Sequence, residues 1–284
     1  MDKGMMSAFL FFPRTSILAP RALWEWTMGQ LARTMLIILL PLILAPLAGC
    51  GKKGPLIPPE ALAPAAVSDL KLAQKGEFFQ LFWSRPAKEE GGGPLRALAG
   101  FRIFKREVLP PAEDCEACPD AYRLLKAVDL DYLQEVRRSG DLFFYNDNDV
   151  RLGKTYQYKA VAVKKDGTPS RESNRARRTK VEPPLPPVLQ AASTPTGINL
   201  EFVAIPFPEG GAIQGYNIYR WRAGEAVPIN PLNDRPVTGN TFEDLRLARG
   251  TVYTYAVRTV ASVAGESVES VPSNEVSGAL TTPD

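Results

Sequence analysis

Two stretches of the chain alternate apolar and polar positions with a period of two. One carries Tyr156, Tyr158, Ala160 and Ala162, the other Tyr253, Tyr255, Val257 and Thr259. Period two sends successive side chains to opposite faces, which is the pattern of a half-buried strand in a sandwich. The two stretches are also copies of each other. Without gaps, Tyr145-x-Asp147-x-x-Val150-x-x-Gly153-x-x-Tyr156 aligns with Phe242-x-Asp244-x-x-Leu247-x-x-Gly250-x-x-Tyr253. Upstream, the run from Gly100 to Lys105 (GFRIFK) pairs with that from Gly215 to Arg220 (GYNIYR). Earlier still, Phe79, Leu81 and Trp83 match Ile198, Leu200 and Phe202, and downstream Ser173-Asn174 matches Ser273-Asn274. These blocks, in one order, predict a duplicated all-β unit, one copy at about residues 65–181 and the other at 186–281. Between them Glu182-Pro183-Pro184-Leu185-Pro186-Pro187 resists helix and central strand, so a semi-rigid hinge is expected at 182–185.

A different pattern precedes the repeats. Residues 36–49 are an apolar run without period, LIILLPLILAPLAG, followed by Cys50. The run is short of the roughly 20 apolar residues of a spanning helix and is interrupted by Pro41 and Pro46. A basic flank at Arg33, an apolar stretch and small residues before a cleavage point describe a signal peptide over residues 1–49. Trp24, Trp26 and the apolar patch from Phe9 to Phe12 are odd in such a segment, and a translation start at Met28 would give it a natural length. Leu47-Ala48-Gly49-Cys50 resembles the lipobox of bacterial lipoproteins. That resemblance implies cleavage before Cys50 and acylation of its thiol. At ~0.8 kcal/mol per buried methylene, two or three acyl chains hold a protein to a membrane permanently. Gly51 after the cysteine, by analogy with enteric bacteria, favours the outer membrane, facing the periplasm. Cys50 to Leu56 (CGKKGPL) further resembles the start of a small lipoprotein that helps mature the lipopolysaccharide translocon. Residues 50–64 are rich in proline and are expected to form an extended, polyproline-like tether.

The duplicated pattern resembles fibronectin type III domains over nearly all of residues 65–281. The resemblance implies two tandem immunoglobulin-like sandwiches with Trp83 and Phe202 in their cores. It also implies a tyrosine corner in each, with the hydroxyls of Tyr156 and Tyr253 bonded back to backbone, Val150 and Leu247 as apolar partners, and Gly153 and Gly250 in the turn.

Composition narrows the chemistry. The chain has no histidine, which removes Ser-His-Asp and Cys-His catalysis, His-ligated zinc and ordinary c-type haem attachment. Residues 50–284 hold 30 basic and 29 acidic side chains, so net charge offers no reason to expect nucleic acid as a partner. No motif marks a catalytic residue, a metal site or a cofactor, and an enzyme of unrecognised class is the weakest reading. The copies differ in one way: 45 positions separate Gly100 from Tyr145, but only 27 separate Gly215 from Phe242. The surplus contains Cys115-Glu116-Ala117-Cys118-Pro119. With Cys50 acylated, Cys115 and Cys118 are an even pair suited to a local disulfide in an oxidising compartment; a thioredoxin-like redox pair and a metal site are the alternatives. Residues 120–137 read as irregular strand rather than short helix. A basic cluster (Arg171, Arg175, Arg177, Arg178, Lys180) suits either an anionic surface or the protection of a sheet edge. Asp147-Asn148-Asp149 suggests calcium, but the recurrence of Asp147 as Asp244 favours turn chemistry. The expected function is a membrane-anchored binding or scaffolding module of the bacterial envelope, with an envelope protein or glycan as partner. An assembly factor for an envelope machine is the second reading.

Overall fold

The computed structural model describes residues 58–203, 205, 206 and 211–282, together with Gln30 and Arg33, which are helical. Cys50, the apolar run before it and most of the tether lie outside the described residues. Everything below belongs to the compact unit Ile57–Asp284.

Among the described residues fifteen strands follow in order: β1 (Lys71–Lys75), β2 (Phe78–Ser84), β3 (Leu98–Val108), β4 (Arg123–Asp129), β5 (Val136–Ser139), β6 (Leu142–Asp147), β7 (Thr155–Lys164), β8 (Ala176–Thr179), β9 (Val188–Ser193), β10 (Ile198–Val203), β11 (Gly211–Arg222), β12 (Thr241–Asp244), β13 (Tyr253–Val263), β14 (Glu266–Glu269) and β15 (Val276–Gly278). The first sandwich packs β1-β2-β6-β5 against β4-β3-β7-β8; the second packs β9-β10-β12 against β11, β13 and β15. The alternating residues face inward. Phe79, Leu81, Trp83, Tyr158, Ala160 and Ala162 are buried in one core, and Ile198, Leu200, Phe202, Tyr255 and Val257 in the other. In the first core the Trp83 indole stacks on Phe143, centroids 5.9 Å apart, and meets Phe101 edge-on at 5.6 Å. Such aromatic pairs add about 0.5–1.5 kcal/mol each beyond the area they bury.

One pairing crosses between the copies. β14, the return strand of a hairpin with β13, lies parallel to β1, with Gln74 opposite Val268 and Lys75 opposite Glu269. An eight-stranded sheet therefore runs through both sandwiches. The proline-rich stretch between them is tied at both ends: Gln74 bonds both backbone groups of Val181 (2.7 and 3.1 Å), and the Leu185 carbonyl accepts from the Thr259 hydroxyl at 2.8 Å.

The tether departs from the expected extended spacer at its end. Pro59–Leu62 is a 3-10 turn, and Pro64 forms a bridge with Glu89. Proline at the start of a helical turn loses nothing, because its missing N–H would have no partner there. The freed carbonyls of Ala61 and Ala63 accept from the N–H groups of Gly91 (2.8 Å) and Glu90 (2.9 Å), which fixes this stretch to the sandwich. The irregular strand expected at 120–137 is resolved into β4 and β5, and the irregularity is a register shift between Ile103 and Phe104 of β3 against β4.

Candidate interaction surfaces

The duplicated turn before β7 and β13 is a scaffold on which the neighbouring surfaces are built. The Tyr156 hydroxyl accepts from the backbone N–H of Arg151 at 3.2 Å, and the Tyr253 hydroxyl from that of Ala248 at 3.1 Å. Gly153 and Gly250 supply the positive φ (76° and 74°) that the turn needs. Beneath each corner lies an ionic group. Lys105, 1% exposed, pairs with Asp147 at 2.7 Å, and Asp147 also accepts from the Tyr158 hydroxyl at 2.7 Å. In the second copy Arg220 pairs with Asp244 at 2.7 Å and Tyr255 donates to the same carboxylate at 2.9 Å. Burial, reinforced by the adjacent carboxylates, pushes the Tyr158 and Tyr255 hydroxyls far above the usual tyrosine range. Asp147 and Asp244 also accept from the N–H two residues on, at Asp149 (3.0 Å) and Arg246 (3.2 Å), which is the turn chemistry of aspartate. Among the described residues no cluster of three or more metal-ligating side chains occurs.

Cys115 and Cys118 are joined in a disulfide, and both are exposed. Their loop lies against the outer face of the sheet formed by β3, β7 and β8. Asp114 receives Arg106 at 2.7 and 3.2 Å and the Leu109 N–H at 3.0 Å. Glu116 accepts from Arg175 at 2.8 Å and from the Tyr122 hydroxyl at 3.0 Å, and lies 3.5 Å from Arg106. The Tyr122 ring sits among three cations, with Lys159 at 4.0 Å from its centroid and Arg106 and Arg175 at 5.6 Å. Hydrogen bonds from Arg106 to Asp114 and from Arg175 to Glu116 hold both carboxyls below their ordinary range.

The basic cluster expected at the end of the first sandwich is dispersed. Arg171 is paired with Glu90 at 2.8 Å, and Arg175 with Glu116. Arg178 and Lys180 are buried; the first reaches the Ser267 carbonyl at 2.6 Å and Glu266 at 2.9 Å, the second the Gly76 carbonyl at 2.9 Å and Glu77 at 3.0 Å. Alternation along β8 turns Arg177 outward and Arg178 inward, and the other three each find their own partner, so five cations close in sequence do not make one patch. Lys75 enters the same junction, bonding the Tyr219 hydroxyl and the Ile229 carbonyl, each at 3.2 Å, with Glu269 at 3.7 Å. Burial lowers its pKa.

A cleft of about 640 Å³ opens where the tether joins the first sandwich, lined by Pro59, Ala61, Ala63, Glu90, Pro169 and Arg171 among others. Its lining also includes Glu60, Thr168 and Ser170, and the Ser170 hydroxyl donates to the Arg171 carbonyl at 2.6 Å. Sequence reasoning did not anticipate the ionic pairs under the tyrosine corners, the seating of the cystine loop or the β1–β14 junction.

No family model matches the chain, and no curated protein matches it. Among solved structures it is similar to the FN1–FN3 domains of chicken CNTN1, at 15% identity and a TM-score of 0.33, over 78% of this chain and 69% of that one. A likeness of that degree says nothing of what this chain binds. The strand order, the duplicated cores and the paired tyrosine corners make the chain an all-β protein of two tandem fibronectin type III-like sandwiches.

Proposed function

We propose that this chain is a lipid-anchored, non-catalytic binding or scaffolding module of the bacterial envelope. The observation that carries the anchor is Leu47-Ala48-Gly49-Cys50 directly after an apolar run of signal-peptide length. The proposed topology follows from it: residues 1–49 are removed, acyl chains on Cys50 enter the membrane, and the sandwiches stand on the periplasmic side of the outer membrane. Support for the binding role is the fold itself, in which ionisable groups such as Lys105 with Asp147 and Arg106 with Asp114 are engaged in packing and in seating the loop. The partner is an envelope protein or glycan.

Phase partitioning tests the anchor without presupposing a partner. Expressed with its own leader, the wild-type chain should enter the detergent-rich phase of a cloud-point separation, and Cys50→Ala should move to the aqueous phase. Equal partitioning of the two would remove the lipid from the account. The resemblance of CGKKGPL to a translocon-maturation lipoprotein favours the second reading, an assembly factor. Exchanging residues 52–56 for a neutral spacer while keeping Cys50 separates them, since a scaffold read through its sandwiches should tolerate the exchange and an assembly factor should not.

A further inference from the structure

The loop that lengthens the first sandwich carries its acidic groups against a cationic sheet face. On that face Arg106 is paired across the strands with Gln157, and Phe104 with Lys159, while Gln157 is paired in turn with Arg177 of β8. Arg175 lies just before β8. Arg106 and Lys159 are outward-directed residues of the sheet and Arg175 adjoins it, yet Arg106 is only 6% exposed, because the loop lies over it. The groups that cover it have the form of a ligand: two carboxylates on either side of one residue, Asp114 and Glu116, and an aromatic ring, Tyr122, set among cations. Glu172 completes the neutralisation by pairing with Lys159 and with Arg175.

We propose that the outer face of β3, β7 and β8 is a docking surface for an acidic, extended segment of a partner protein, that residues 109–122 occupy it as an internal stand-in, and that reduction of the Cys115–Cys118 disulfide releases it. The charge complementarity names the partner's chemistry, because whatever replaces Asp114 and Glu116 must again neutralise Arg106 and the share of Arg175 that Glu172 does not satisfy, beside Lys159, which Glu172 holds. The exposure of both cysteines gives a reductant access. A dithiol protein or small dithiol supplies the balance. Its thiolate attacks one sulfur to form a mixed disulfide, and its second thiol displaces the remaining cysteine. Two electrons and two protons pass to Cys115 and Cys118 while the dithiol becomes a disulfide. Opening a four-residue ring frees chain entropy that shifts the strap from seated to lifted by roughly twentyfold. Where the seated form dominates, apparent affinity for a competing segment rises by the same factor.

The test uses the full chain in detergent and a fluorescein-labelled hexaglutamate peptide, followed by fluorescence anisotropy. Four samples are compared: oxidised wild type, dithiothreitol-treated wild type, the Cys115→Ser/Cys118→Ser variant, and that variant carrying Lys159→Gln/Arg175→Gln. The reduced protein and the double-serine variant should bind about twentyfold more tightly than the oxidised protein, with affinity falling as salt rises, and the added Gln pair should abolish the gain. Near-UV circular dichroism identifies any variant that has lost its fold, in which case reduced wild type decides. Equal binding by the oxidised and reduced protein, or a gain that survives the Gln substitutions, overturns the proposal.

Discussion

Lys105, buried, and Arg220, half-buried, show how a charge is held on the inward side of a strand. Each lies on the inward-facing phase of its strand, in step with Phe101 and Ile103 or with Tyr216 and Ile218, and each is met by an aspartate that also takes a tyrosine hydroxyl. Removing one partner of a buried pair leaves an uncompensated charge, so Asp147→Asn is expected to cost about 3–5 kcal/mol in urea unfolding. Asp244→Asn should cost less, because the Arg220 side chain is 21% exposed and keeps water as an alternative. Tyr156→Phe and Tyr253→Phe each forfeit one hydroxyl-to-backbone bond, and each should lose about 1 kcal/mol in the same assay. The tyrosine corners were legible because tyrosine, glycine and their spacing recur together. The ionic pairs were equally present in the aligned blocks, as Lys105 over Arg220 and Asp147 over Asp244. They are hard to see there because a cation on a strand reads as a surface residue, and only its phase with the core positions signals burial.

Elements depend on contacts that sequence periodicity does not encode. The glycines that open the GFRIFK and GYNIYR blocks are not there for a turn. Both sit at register shifts of their strands, and a Cβ on Gly100 would stand 1.8 Å from the Val128 carbonyl oxygen, one on Gly215 2.5 Å from that of Val237. Gly100→Ala should therefore displace β4 and destabilise the first sandwich by about 3 kcal/mol, checked by thermal unfolding. The Ser-Asn repeat likewise has its reason in space. The side chains of Asn174 and Asn274 each bond both backbone groups of a residue on the entering segment, Leu70 and Leu189, at 2.8 and 2.9 Å. The cystine loop responds to acid. Asp114 and Glu116, faced by Arg106, Arg175, Gln157, Tyr122, Lys159 and Arg177, have folded pKa values below their unfolded ones, so their contribution is full above about pH 5 and fades as pH falls through the lowered values. The amide resonance of Leu109, which donates to Asp114, should shift over that acid range and stay constant from there to neutrality.

At the scale of the whole molecule, the repeats announced two sandwiches and the proline run announced a joint, but neither revealed that β1 and β14 would pair across it. Such contacts join residues nearly two hundred positions apart, and short, half-polar strands leave no mark of their partners in sequence. Gly76, with φ +58°, lies in that junction and donates its N–H to the Glu269 carbonyl at 2.8 Å; a Cβ there would meet Val271 Cγ1 at 2.6 Å and its backbone N at 3.2 Å. Gly76→Leu should loosen the pairing, visible in small-angle scattering as a larger radius of gyration with each sandwich still folded. All of these surfaces matter to the cell only if the protein is held where the proposal puts it. Intact-mass analysis of the chain from its native membrane, beside Cys50→Ala, tests that claim most directly. The account predicts a mature chain beginning at an acylated Cys50, with membrane attachment lost in the variant. An unmodified Cys50 with residues 1–49 still attached would contradict it.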